Sequence, residues 1–227
     1  MSMFRIMDVE TTGLDPVTDR IVEIGYCNLK DGVVGEPRGT LVDPGRPIPP
    51  EASAIHHITD ADVEGARKLE DITPFAPAQG LVYVAHNAAF DRKFLTPEVA
   101  GDRPWICTYR CALRLWPDAP AHNNQTLRYW IKPDGLAKEL AEPSHRAAPD
   151  AYVTAHLLRE MLKLASVDRL IGWSDEPALL ITCHLKMHKG KKWADVPSDY
   201  LQWVLRQDMG EDMLFTAKHW LEQRGGR

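Results

Sequence analysis

No stretch of this 227-residue sequence approaches the about 18 consecutive apolar residues that a membrane-spanning helix needs. Its opening, Met1 to Asp8, lacks the charged, apolar and small-residue regions of a secretory leader. Both absences point to the cytosol. Cysteine is sparse: Cys27, Cys107, Cys111 and Cys183 are the only four, with no C-x-x-C pair among them. A zinc site has little support from that spacing, and buried thiols in a reducing compartment are expected. Excess positive charge is missing too, since the formal net charge is −5. That does not exclude a polyanionic partner, because clustered acids would be neutralised by bound divalent metal and local charge outweighs the global sum. There is no internal repeat and no low-complexity segment. What is present is a 44% apolar content, enough for a core. The length suits one domain, or one domain plus a small second one.

Phe4, Ile6 and Met7 form a short apolar run that ends at Asp8, a first strand leading into a turn at Thr12–Gly13. Ile21 to Leu29 reads as the next strand. Asp31–Gly32 is a hairpin signal, and Val33 to Val42 reads as the returning strand. Leu81 to Ala85 is a compact buried strand. A helical pattern begins in the segment that follows it. The clearest helix spans Ala151 to Leu164, where Val153, Leu157, Leu158, Met161 and Leu162 recur at helical spacing and Pro149 suits the first helical position. Gly172 to Pro177 carries turn residues and two acids and reads as a linker. This order predicts an α/β fold, a mixed sheet flanked by helices, followed by a small C-terminal appendix.

Three acidic sites fall where strands end or helices begin. Asp8 and Glu10 are two apart on a strand, so their side chains share a face. Asp91 lies at a helix start, where the helix dipole favours an acid whatever its role. Asp150 occupies the first turn of the next long helix, with His145 in the loop before it. Each alone is an ordinary turn or helix-start acid, and His86 and Asn87 alone would merely fix a turn. Together the acids converge on one sheet edge, where four carboxylates repel unless cations relieve them. Two divalent metals are the standard device for phosphodiester displacement.

The segments Asp8-Val9-Glu10-Thr11-Thr12-Gly13-Leu14, His86-Asn87-Ala88-Ala89-Phe90-Asp91 and His145-Arg146-Ala147-Ala148-Pro149-Asp150 resemble, in order, the three exonuclease motifs of the DnaQ-like (DEDD) superfamily. The third is similar to the histidine subclass, since Arg146 stands where the other subclass has tyrosine. The resemblance covers roughly residues 1–165. Within the superfamily the chain is most similar to the bacterial exodeoxyribonuclease X family, through Ala54-Ile55-His56-His57-Ile58-Thr59, Trp105-Ile106-Cys107-Thr108 and Arg114-Leu115-Trp116-Pro117. Leu185-Lys186-Met187 departs from that family's usual F-G-K.

The resemblance implies a ribonuclease H-like mixed five-stranded sheet in an exonuclease domain over residues 1–170, with the appendix over 171–227. It implies a 3′→5′ exonuclease that releases nucleoside 5′-monophosphates from DNA in repair or end processing. Asp8, Glu10 and Asp150 would hold one metal, Asp8 would touch a second, and Asp91 would help position that second ion. Magnesium is expected, with manganese able to substitute, because both are hard ions that prefer oxygen ligands. His145 would act as general base, because imidazole is the side chain suited to exchanging a proton near working pH. Thr11, Thr12, His56 and Asn87 would bind substrate, and Glu10 would also meet the terminal 3′ hydroxyl.

Leu14 follows the metal turn directly, and either contacts the terminal base or tucks into the core. Lys186, Lys189, Lys191 and Lys192 surround Gly190 without an acid. They read as phosphate contacts, or else as a solvated charge run. An RNA-trimming exoribonuclease and a polymerase-associated proofreading subunit remain the alternatives, and a homodimer or a polymerase partner stays open. No membrane association is expected.

Overall fold

A computed structural model describes residues 3–72 and 81–225. The strands are β1 (Met3–Thr11), β2 (Ile21–Lys30), β3 (Val33–Val34), β4 (Arg38–Leu41), β5 (Leu81–Ala85) and β6 (Trp105–Cys107). The helices are α1 (Pro50–His56), α2 (Asp60–Val63), α3 (Ala88–Phe94), α4 (Pro97–Ala100), α5 (Thr108–Leu115), α6 (Asn124–Ile131), α7 (Ala147–Met161), α8 (Val167–Asp175), α9 (Ser198–Val204) and α10 (Glu211–Gly225).

The sheet runs β3-β2-β1-β5-β6, and β4 also pairs with β2. β3 and β4 take successive stretches of the same edge of β2, so six strands fill five positions, as the mixed five-stranded reading requires. β1 and β2 are antiparallel, while β1, β5 and β6 are parallel. The turn between β2 and β3 has positive φ at both Asp31 (52°) and Gly32 (79°), the geometry that a two-residue hairpin favours. The single returning strand expected over 33–42 is broken between β3 and β4. Pro37 lies in the break and has no N–H to give a ladder.

Side chains alternate cleanly along β1. Phe4 and Ile6 join the core formed with Val153, Leu157 and Leu158 of α7. Met7 and Val9 join the opposite core with Ala88 and Phe94 of α3. Both faces of the sheet are therefore covered, which is why β5 reads as an unbroken apolar run. The parallel strands β1, β5 and β6 end at one edge, and in open α/β sheets that edge is where sites form.

Two sequence-based boundaries shift. Helix α7 begins at Ala147, so Pro149 is its third residue. Pro remains tolerated there because the first-turn N–H groups lack intrahelical partners. Residues 172–175, expected as linker, belong to α8, which crosses the expected boundary at residue 170. Ser174 ties that helix down: its Oγ accepts the Cys107 N–H at 2.7 Å, and its carbonyl accepts from Arg110 at 2.7 Å. Beyond Pro177 the appendix has its own core of Cys183, Trp193, Val196, Leu201, Val204 and Ala217. It is tethered to the body by the Lys192–Asp118 ion pair at 2.8 Å and by Arg114, which pairs with Glu176 at 2.8 Å and also donates to the Pro177 carbonyl at 3.2 Å. All four cysteines are buried and free. Among the described residues, no helix is long and apolar enough to cross a membrane.

Candidate active site

The two-residue spacing places Asp8 and Glu10 on the α7 side of β1. Directly opposite on β2 stand Gly25, paired with Asp8, and Glu23, paired with Glu10. Gly25 decides how close α7 can come. A Cβ there would lie 2.1–2.3 Å from the Ala147 carbonyl and the Ala148 nitrogen, which is backbone and cannot yield cheaply. The first turn of α7 thus rests on the bare strand and delivers Asp150 to Asp8 and Glu10. One carboxylate oxygen from each of the three lies within 4.8 Å of the others. Gly25→Ala should destabilise the protein by about 3 kcal/mol or more through overpacking and lose hydrolysis in step. Thermal melts and rate assays on the variant would check both. A variant that melts normally with normal turnover would contradict this seating.

Asp91 reaches the same centre from α3. It is buried, at 2% exposure, and its carboxylate meets the Val9 backbone between the two acids of β1. Burial raises the pKa of all four carboxyls, and mutual repulsion adds to it at Asp8 and Glu10. Asp8 is lifted well above the usual range by burial, then by Asp91, Glu10 and Asp150. Glu10 is lifted to about 8 and Asp91 to about 7, each chiefly by burial. Asp150 is also raised by burial, although hydrogen bonds from Gln125 and the His145 backbone oppose the rise. Among the described residues, none of the four has an Arg or Lys partner in an ion pair. An all-oxygen donor set, crowded and without an ion-paired cation among the described residues, fits hard divalent cations.

The loop before α7 is built around Asp150 and Glu23. The His145 N–H donates to Asp150 Oδ2 at 2.8 Å. His145 has φ of 59°, in the left-handed region, and is exposed. Arg146 clasps the buried Glu23 through two N–H groups at 2.9 and 2.8 Å, and the Ala147 N–H adds a third bond at 3.0 Å. Glu23 thereby caps α7 from the sheet and satisfies one of its unpaired N–H groups. From the far side, α6 supports Asp150: Gln125 Nε2 donates to Oδ1 at 2.9 Å and Asn124 Nδ2 donates to the carbonyl at 3.0 Å.

The turn after Glu10 is tightly closed. Thr11 Oγ1 donates to the Gly13 carbonyl at 2.6 Å, and Thr12 Oγ1 donates to Asp19 at 3.1 Å. Leu14 projects from this turn at 77% exposure, so it does not tuck into the core. His56 is buried, with Nδ1 accepting the Ile58 N–H at 3.0 Å, and the Thr11 backbone lies beside its ring. It therefore supports the turn from below. Asn87 adopts the left-handed conformation (φ 66°), which Asn tolerates well. It lines a cleft of about 650 Å³ whose other walls include Leu180, Ile181, Thr182 and His184 of the appendix. In the appendix, Lys186, Lys189 and Lys191 make no ion pair among the described residues, whereas Lys192 is engaged with Asp118.

Sequence reading missed Glu23, Gly25, Gln125 and the work of Arg146. A signal was present in Ile21-Val22-Glu23-Ile24-Gly25: a charge and a glycine inside an otherwise apolar strand.

A mixed sheet carrying clustered carboxylates at the carboxyl edge of its parallel strands, with a histidine beside them, defines a metal-dependent hydrolytic α/β protein. A family model described as "Exonuclease" matches residues 6–158, and the chain belongs to that exonuclease family. It is 37% identical to exodeoxyribonuclease 10 of Escherichia coli K12, over 97% of this chain and 99% of that one. It is 36% identical to the DNA polymerase III subunit epsilon of Treponema pallidum, over 70% of this chain and 76% of that one. Among solved structures, exonuclease X in complex with 5′ overhanging duplex DNA is similar with a TM-score of 0.61 and 37% identity, covering 75% of this chain and 99% of that one.

Proposed function

We propose that this chain hydrolyses DNA from the 3′ end, releasing nucleoside 5′-monophosphates, with magnesium as the working metal and manganese able to replace it. The observation that carries this reading is the meeting of Asp8, Glu10 and Asp150 within 4.8 Å, with His145 in the loop tied to Asp150. The match to exodeoxyribonuclease 10 along nearly the whole chain favours DNA over RNA. Asp8, Glu10 and Asp150 would hold one cation, Asp8 would share a second, and Asp91 would position that second ion. When bound, such cations lower the pKa of the attacking water and offset charge on the departing 3′ oxygen. His145 takes the proton of that water on its imidazole. Glu10 and the Thr11–Thr12 backbone receive the terminal 3′ hydroxyl, held in place by His56, while Asn87 meets the strand at the cleft. The reaction belongs to end processing or repair in the cytosol. Parallel turnover on matched DNA and RNA oligomers tests the substrate class; faster trimming of RNA would overturn it.

Leu14 acts as a wedge at the terminal base. Its 77% exposure on the closed turn after Glu10 supports this, because the side chain is accessible to a strand end held at the carboxylates. Leu14→Ala should slow digestion of blunt duplex more than that of single strands. Equal slowing on both would count against the role.

The appendix, from Pro177 onward, raises affinity and supplies no catalytic group. Lys186, Lys189 and Lys191 are the phosphate contacts, while Lys192 serves the tether to Asp118. A chain ending after Pro177 keeps the α8 contacts of Ser174. It should retain its single-turnover rate at saturating DNA, bind more weakly, and show a salt dependence shallower by about one unit per lost contact. Binding as tight as that of the whole chain at several salt concentrations would refute this.

A further inference from the structure

A second charged site lies on the flank of α3 next to the one that carries Asp91. Ala88, Ala89, Arg92 and Lys93 line a cavity of about 270 Å³, closed by Trp105, Cys107, Arg110 and Ser174. Positions 88 and 92, like 89 and 93, stack one turn apart on one helix face. The two alanines leave the floor open, and the three cations stand around it. Among the described residues, no Asp or Glu lines this cavity, although acids outnumber bases in the chain by 32 to 27. Among the described residues, Arg92, Lys93 and Arg110 form no ion pair.

The wall is also built rather than incidental. Arg110 is held by its bond to the Ser174 carbonyl at 2.7 Å, and Ser174 Oγ accepts the Cys107 N–H at 2.7 Å and donates to Leu170 at 2.6 Å. That bond engages one nitrogen of Arg110, and its other N–H groups have no partner among the described residues. Three like charges around one concavity repel each other, and an anion relieves that cost. Guanidinium groups match a phosphate's geometry through paired N–H donors, and a lysine adds a point charge.

We infer that Arg92, Lys93 and Arg110 form a phosphate-binding site on the outer flank of α3, separate from the carboxylate centre. A phosphate of a bound DNA strand and a free phosphate share this chemistry. The first source rests on the nuclease reading; the second does not. Arg92 and Lys93 are exposed, so Arg92→Gln/Lys93→Gln should fold normally.

The test measures oligodeoxynucleotide binding by anisotropy at several salt concentrations, with calcium replacing magnesium to suppress turnover. It also follows the amide signals of Ala88–Lys93 during titration with inorganic phosphate. An affinity lower by about tenfold, with a salt slope shallower by about one, assigns the site to a strand phosphate. Arg92→Lys/Lys93→Arg, which keeps both charges, should restore most of it. Unchanged DNA binding together with saturable phosphate shifts, lost in the Gln variant, assigns the site to free phosphate. If neither DNA affinity nor the phosphate shifts depend on these residues, the inference is overturned. Magnesium-dependent hydrolysis by the unaltered chain is assayed alongside. Its absence would count against the nuclease reading, and the phosphate titration would still judge the cavity.

Discussion

Asp8→Asn should abolish hydrolysis and at the same time stabilise the metal-free protein. The rate should fall by about a thousandfold or more, because Asp8 sits at the centre of the carboxylate set on which metal catalysis depends. The stability gain follows from the pKa shifts. Glu10 is raised to about 8 and Asp91 to about 7, and Asp8 and Asp150 are raised as well. Between the unfolded carboxylate range, about pH 4, and those folded values, the native state binds protons that the unfolded chain has released. Stability of the metal-free protein therefore falls as pH rises through this window. Divalent cations compete for the same oxygens, so their uptake should release protons and restore stability, by about 2.7 kcal/mol at a hundredfold excess over Kd. Melting in EDTA at about pH 8 should show Asp8→Asn more stable than the unaltered chain by about 1–3 kcal/mol, or several degrees for a protein of this size. A less stable variant, or one with near-normal turnover, would contradict the assignment.

His145→Asn should lower the rate by about a hundred- to ten-thousandfold, the usual cost of a lost general base, while metal affinity and DNA affinity stay near those of the unaltered chain. Asparagine is the informative replacement. The residue sits at φ 59°, where Asn is tolerated better than most side chains, so the Asp150 bond to its N–H can survive. Alanine would mix loss of the imidazole with backbone strain. Isothermal metal titration and pH–rate profiles separate the two effects. A variant that retains the normal rate across pH 6–9 would remove His145 from the chemistry, and one that loses metal binding would make it a ligand.

The acids of this site were legible because each ends a strand or opens a helix, and such ends meet at one edge of a parallel sheet. Spacing put Asp8 and Glu10 on one face of a strand, but alone that pair reads as ordinary strand-end acids. Asp91 and Asp150 joined that pair because helix starts meet the same sheet edge, and the three-motif resemblance then supplied the roles. What the sequence concealed were the long-range partners. Glu23 and Arg146 are 123 residues apart, and no local pattern pairs them. Gly25 matters only through its distance to the α7 backbone, which depends on tertiary packing. The misread linker has the same cause: Gly172 and Ser174 are poor helix formers, but burial of Leu170 and the hydrogen bonds of Ser174 to β6 and α5 outweigh propensity. Leu14 shows the opposite case: the sequence left two readings open, and its exposure removes the core one, while contact with the terminal base is the proposal the duplex assay tests.

The most direct test of the central claim is a time course on one DNA duplex labelled at either the 3′ or the 5′ end, with and without magnesium. With magnesium, the 3′ label should appear at once as a mononucleotide, while the 5′ label stays on strands that shorten stepwise. Without magnesium, neither should change. Early release of the 5′ label, internal fragments, or hydrolysis that persists in EDTA would contradict a metal-dependent exonuclease acting from the 3′ end.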